Sequence, residues 1–150
     1  MNENVPVEFD RSVLGREVVG EAVVVTREKI LAFAKAVGET NPLYTDDEAA
    51  QRAGYPSLIA PPTFVNSVRR NAARPDPKIK HGTLTFFANQ TIECHLPVKP
   101  GDVIRSVTSL EDVYAKTGRS GTMVFEVWKT EMINQDGEVV AVNRESTVHR

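Results

Sequence analysis

Cysteine is almost absent from this chain. Cys94 is the only one, so no internal disulfide can form and no cysteine-based zinc site can be assembled. No apolar run approaches the roughly 18 residues that a membrane span needs. Charge of one sign is also missing: 18 Lys and Arg stand against 20 Asp and Glu, for a net charge of -2. No strong field therefore favours nucleic acid or a membrane surface. The segment from Met1 to Glu8 lacks the basic and apolar regions of a signal peptide, so a cytoplasmic location is expected. Among the three histidines, His81, His95 and His149, no two have metal-ligand spacing, and no metal is expected. There is no G-x-S-x-G, no phosphate loop and no dinucleotide fingerprint, so no cofactor is expected either. Internal repeats and low-complexity segments are lacking.

What remains is an ordinary globular composition in 150 residues, which suits one domain spanning residues 1–150. Residues 1–15 read as an irregular lead-in. Glu17 to Thr26 is valine-rich and reads as a first strand. Thr26 is placed to cap a helix whose Ile30, Phe33, Ala34 and Val37 form one apolar face, and Gly38 is placed to end it. Thr45 and Glu48 have capping-box spacing before a second short helix that Gly54 can close. Asp46 and Asp47 then read as first-turn charges. Ser57 to Phe64 reads as a loop entering a helix with proline at its first position, ending before Pro75.

The second half is strand-like. His81 to Cys94 favours β structure, and Pro97 to Asp102 is a turn. Val103, Arg105 and Val107 alternate with more polar partners. Met123, Phe125 and Val127 alternate with Thr122, Glu126 and Trp128. Asn134-Gln135-Asp136-Gly137 has hairpin chemistry, and Val140, Val142, Arg144, Ser146 and Val148 continue at period two. Helices early and a meander late imply an α+β layer structure. Arg69, Arg70, Arg74, Lys78 and Lys80 form one local basic cluster. It reads as a solvated helix end and loop, or as a contact for phosphates or an acidic partner helix. Cys94 carries no signal of thiol activation and is expected to be buried and structural. His95 is expected to face the sheet exterior or an interface, and His149 is given no role.

One stretch carries more than secondary structure: Gly38-Glu39-Thr40-Asn41-Pro42-Leu43-Tyr44 followed by Thr45-Asp46-Asp47-Glu48-Ala49-Ala50. It resembles the G-D-x-N-P-x-H motif of MaoC-like (R)-specific enoyl-thioester hydratases and hydroxyacyl dehydratases. Leu58-Ile59-Ala60-Pro61-Pro62-Thr63-Phe64 resembles the entry to that family's central helix. Glu93 to Asp102 resembles the strand and turn that follow. The likeness covers nearly the whole chain and is greatest to the N-terminal type, likened to the dehydratase of type I fatty acid synthase. It implies a single hot-dog domain, in which an antiparallel sheet wraps around a central helix.

The resemblance also implies a reaction, the reversible loss of water from a (3R)-hydroxyacyl thioester of coenzyme A or a carrier protein. That chemistry needs a base, an acid, and donors for the thioester oxygen. In the family an aspartate and a histidine supply the first two, and backbone N–H groups at the helix start supply the last. Carried over, the catalytic positions are Glu39 and Tyr44. The substrate-binding positions are Asn41, Pro42, Pro62, Thr63 and Phe64, with His81 as either an exposed loop histidine or a contact near the thioester. Both catalytic positions depart from the motif. Glutamate adds a methylene, and a displacement on the order of 1 Å can cost about 100-fold. Tyrosine ordinarily titrates near about 10 against about 6.5 for histidine, which makes it a poor base near neutrality. Pro61-Pro62 stands where catalytic relatives tend to have His-Gly, and proline has no N–H to donate.

These departures imply an acyl-binding subunit, weak or inactive alone, paired with a second hot-dog subunit that keeps D-x-N-P-x-H. Two alternatives stay open. One is a self-sufficient homodimeric hydratase using Glu39 and Tyr44; the other is a non-catalytic acyl-thioester binding module. A dimer is expected in either enzymatic case, because pairing covers a sheet edge and the acyl tunnel.

Overall fold

A computed structural model describes residues 5–69 and 73–150. Among these residues six strands form an antiparallel sheet: β1 (Val18–Val19), β2 (Val23–Val24), β3 (Thr85–Cys94), β4 (Val103–Gly118), β5 (Gly121–Ile133) and β6 (Val139–His149). The order is β1-β4-β5-β6-β3, with β2 also paired to β4. Three α-helices lie among the described residues: α1 (Arg27–Ala36), α2 (Asp47–Arg52) and α3 (Val65–Val68). The expected α+β hot-dog architecture is therefore present. Its central helix is short in the described residues: the 3-10 turn Pro62–Phe64 runs directly into α3.

Burial explains the arrangement. Phe64, Val65 and Val68 project from this short helix into one core with Ile104, Met132 and Ala141 from the long strands. Fully burying a side chain of Phe64's size contributes about 1.5–3 kcal/mol. Ile30 and Ala34 bring α1 into the structure from the apolar face read in the sequence. Its cap is also as read, since Thr26 Oγ1 accepts from the Lys29 N–H at 3.2 Å.

Four local expectations are corrected. The first strand is split into β1 and β2, both paired with β4, and the Gly20 N–H between them donates to Ser106 O at 2.8 Å. The cap of α2 is Asp46, whose Oδ1 accepts from the Glu48 N–H at 2.8 Å and the Ala49 N–H at 3.3 Å. An ionised acceptor makes the stronger cap bond, and Thr45 is taken up by the preceding turn, its N–H donating to Pro42 O at 3.2 Å. In β4 the buried phase is Ile104, Ser106, Thr108 and Leu110, not Val103, Arg105 and Val107. Polar residues can occupy that face because Thr108 and Thr130 satisfy each other's hydroxyls at 2.9 Å. In β5 the inward face is Val124, Trp128, Thr130 and Met132. Phe125 finds its partner on the other face, stacked on Tyr114 with ring centroids 5.0 Å apart.

Arg69 and Arg74 of the basic cluster turn inward, while Lys78 and Lys80 stay exposed. Arg69 and Arg74 both bind Glu145, at 2.5 and 2.8 Å, and Lys80 pairs with Glu8 at 2.5 Å. These cations are engaged within the chain rather than offered to phosphates. Arg70 lies outside the described residues.

Candidate active site

The segment after α1 is built by its own side chains. Gly38 turns the chain at φ 69°, a conformation that glycine adopts without a Cβ penalty. The Glu39 carboxylate then folds back, with Oε1 accepting from the Thr40 and Asn41 N–H groups, both at 2.8 Å. Asn41 Oδ1 accepts from the Leu43 N–H at 3.1 Å, and Pro42 opens the 3-10 turn Pro42–Tyr44. The result is a rigid loop that delivers Tyr44.

Tyr44 lines a cleft of about 250 Å³. Ile59 to Pro62 and Val65 form another wall, and Cys94 to Val98 close it from the end of β3. Backbone bonds hold these walls together: the Ile59 N–H donates to Leu43 O at 3.1 Å and the Ala60 N–H to Val98 O at 2.7 Å. Asp47 adds a side-chain clamp that sequence reasoning missed. Its Oδ1 accepts from the Leu58 N–H at 2.9 Å, and its other oxygen binds Arg27. The Leu58 N–H, followed by the Arg27 guanidinium, holds this carboxyl below its ordinary range. The signal was present in the sequence only as a first-turn charge, which does not reveal a partner eleven residues away.

The residues carried over from the motif divide into groups. Tyr44 and Pro62 face the cleft. Glu39, Asn41 and Pro42 belong to the loop beneath it, and Glu39 is not among the lining residues. Phe64 lies in the core, edge-on to Phe33 with centroids 5.6 Å apart. Its N–H is occupied by Pro61 O at 2.9 Å, and prolines 61 and 62 have none to give. Thr63 is exposed, and its N–H has no partner among the described residues. His81 is held elsewhere, its Nε2 at 3.0 Å from Thr122 O at the start of β5.

Two residues at the end of β3 line the cleft, and the first departs from expectation. Cys94 is exposed and lines the cleft, with Sγ 3.8 Å from Pro62 O, rather than lying buried in the core. That contact puts its side chain on the face of edge strand β3 that meets the 3-10 turn Pro62–Phe64. Partial burial still pushes its thiol pKa up. His95 is exposed and also lines the cleft. His149, which the sequence left without a role, pairs through Nε2 with Glu126 at 2.9 Å and through Nδ1 with Thr85 Oγ1 at 3.3 Å, tying β3, β5 and β6 together.

A second depression of about 530 Å³ lies between β1, β4 and the β5–β6 turn, lined by Val19, Arg105, Val107 and Ile133. It is larger but gathers none of the motif residues. Among the described residues, no group of three or more His, Cys, Asp and Glu stands where it could hold a metal. No helix among them is long and apolar enough to cross a membrane.

Residues 12–143 match the family model of the FAS1-like, dehydratase domain region. The chain belongs to this family. A UPF0336 protein of Saccharopolyspora erythraea is 34% identical over 147 residues, covering 95% of this chain and 92% of the relative. The MaoC-like dehydratase from Rhodospirillum rubrum superposes with a TM-score of 0.68 at 21% identity, covering 91% of each chain. The C-terminally truncated HadBC complex of Mycobacterium tuberculosis, a (3R)-hydroxyacyl-ACP dehydratase, gives a TM-score of 0.65 at 25% identity, covering 89% of this chain and 96% of the other. The hot-dog fold and the dehydratase/hydratase family are thus shared, and one of these relatives works as a heteromeric complex.

Proposed function

We propose that this FAS1-like dehydratase-region chain is the acyl-binding subunit of a (3R)-hydroxyacyl-thioester dehydratase or trans-2-enoyl-thioester hydratase of fatty-acyl metabolism in the cytoplasm. It pairs with a second hot-dog subunit that carries D-x-N-P-x-H. Its ligand is an acyl thioester of coenzyme A or of a carrier protein. The observation that carries this reading is the placement of the two motif positions. Tyr44 faces an apolar cleft suited to an acyl chain, while the Glu39 carboxylate is spent on two N–H groups of its own loop. With the motif's own base position committed to its loop, the motif's chemistry needs a group from elsewhere.

The edge of the sheet supports a partner. β3 pairs only with β6 among the described strands, and it exposes Phe86 and Phe87, with Leu84 just ahead of it. An open apolar edge of this kind is stabilised when a second sheet covers it.

The test is co-purification from the native host, followed by hydration of a trans-2-enoyl-CoA with and without the co-purified subunit. The expected result is turnover only in the complex. Hydration by this chain alone at an ordinary enzyme rate, on the order of 10 per second, would overturn the reading.

A further inference from the structure

We propose that His95 is the residue that holds the thioester carbonyl in this cleft, supplying the hydrogen bond that the helix start no longer provides. This deepens the reading above and rests on the cleft being the thioester site.

The argument begins with missing donors. A thioester seated with its acyl chain in the cleft presents its carbonyl oxygen as the first strong acceptor outside the apolar walls. Backbone N–H groups at a helix start are suited to meet such an acceptor. Here Pro61 and Pro62 have no N–H, and the Phe64 N–H is committed to Pro61 O at 2.9 Å. Only the Thr63 N–H remains at that turn. A carbonyl met by the Thr63 N–H alone lacks a second donor, and a side chain can supply what the prolines removed.

His95 has the required position and chemistry. It lines the same cleft as Tyr44 and Pro62. Its backbone is fixed, because the His95 and Leu96 N–H groups both donate to Val140 O, at 2.9 and 3.2 Å. Its ring is exposed and has no hydrogen-bond partner among the described residues. That distinguishes it from His81, tied to Thr122 O, and from His149, tied to Glu126 and Thr85. An imidazole donates from one ring nitrogen in its neutral form and from both when protonated, so it can serve a carbonyl in either state. His95 is thus a substrate-holding group whose backbone is anchored on β6, the neighbour of β3.

The experiment uses octanoyl-CoA, a saturated thioester that cannot be hydrated, isotopically labelled at the thioester carbonyl. Affinity is measured by calorimetry with the full chain, and the carbonyl stretch of the bound ligand by infrared difference spectroscopy. In the wild type the stretch is expected below its free-ligand position. His95→Ala should weaken binding about tenfold, the value of one hydrogen bond, and return the stretch toward the free position. His95→Gln, which keeps a donor, should retain much of both. The melting temperature of each variant is measured alongside. If His95→Ala is destabilised, His95→Gln decides: a lowered stretch supports the proposal and a free-ligand stretch overturns it. Unchanged affinity and stretch in His95→Ala overturn it outright, as does a wild type that does not bind octanoyl-CoA. Binding that depends on His95 without turnover in any partnered complex would leave this assignment standing and remove the dehydratase reading instead.

Discussion

Glu145 lies on β6 between two cations that hold down the far end of the helical segment. Its side chain is 14% exposed, that of Arg69 15% and that of Arg74 26%. Arg74 also stacks its guanidinium over the Trp128 ring, 5.1 Å from the centroid. Replacing Glu145 with Gln keeps the volume but leaves both guanidinium groups without a counter-ion. Breaking a buried pair from one side costs about 3–5 kcal/mol. Water reaches part of Arg74 and relieves some of that, so we expect about 2–3 kcal/mol at neutral pH. In a domain of this size that corresponds to a fall in Tm of roughly 4–12 °C. The pH dependence gives the sharper check. Burial works to raise the Glu145 pKa, but the hydrogen bonds from Arg74 and Arg69 outweigh it and hold the carboxyl below its ordinary value of 4.5. A depressed carboxyl stabilises the fold above its ordinary value, and that stabilisation is lost as pH falls through the lower, folded-state value. The gap between wild type and Glu145→Gln in urea unfolding should therefore be full at pH 7 and close progressively below about 4.5. A variant within about 0.5 kcal/mol of wild type at pH 7, or a gap that persists unchanged into acid, would refute the role given to these pairs.

Truncating Phe64 to Ala removes the ring that packs edge-on against Phe33 at the heart of the core; urea unfolding should show a loss of about 3–5 kcal/mol. Asp46→Ala should cost about 1 kcal/mol through the lost cap of α2, while Thr45→Ala should cost clearly less, and equal losses would return the cap to Thr45. Glu39→Gln keeps an acceptor for the Thr40 and Asn41 N–H groups. Turnover of the partnered complex should fall by less than about tenfold, whereas a loss of about 100-fold or more would mark Glu39 as an acid–base group.

How far the sequence carried depends on the range of each interaction. Thr26, Gly38 and the Asn134 to Gly137 turn were legible because each acts on backbone within a few residues. The phase of β4 was not, since both faces of Val103 to Leu110 carry apolar residues. What decides between them is a hydroxyl pair with Thr130, twenty-two residues on. The inward pairing of Arg69 and Arg74 was hidden for the same reason: Glu145 is more than seventy residues from the arginines it neutralises. The motif segment shows the limit most clearly. Its letters gave the loop, and the loop is there, but the position read as a base is consumed in building it. The imidazole that reaches the cleft comes from His95, fifty-one residues beyond Tyr44 in the numbering of the chain. A local motif states which backbone is built, and only the packing of distant strands onto that backbone states which side chain faces the ligand.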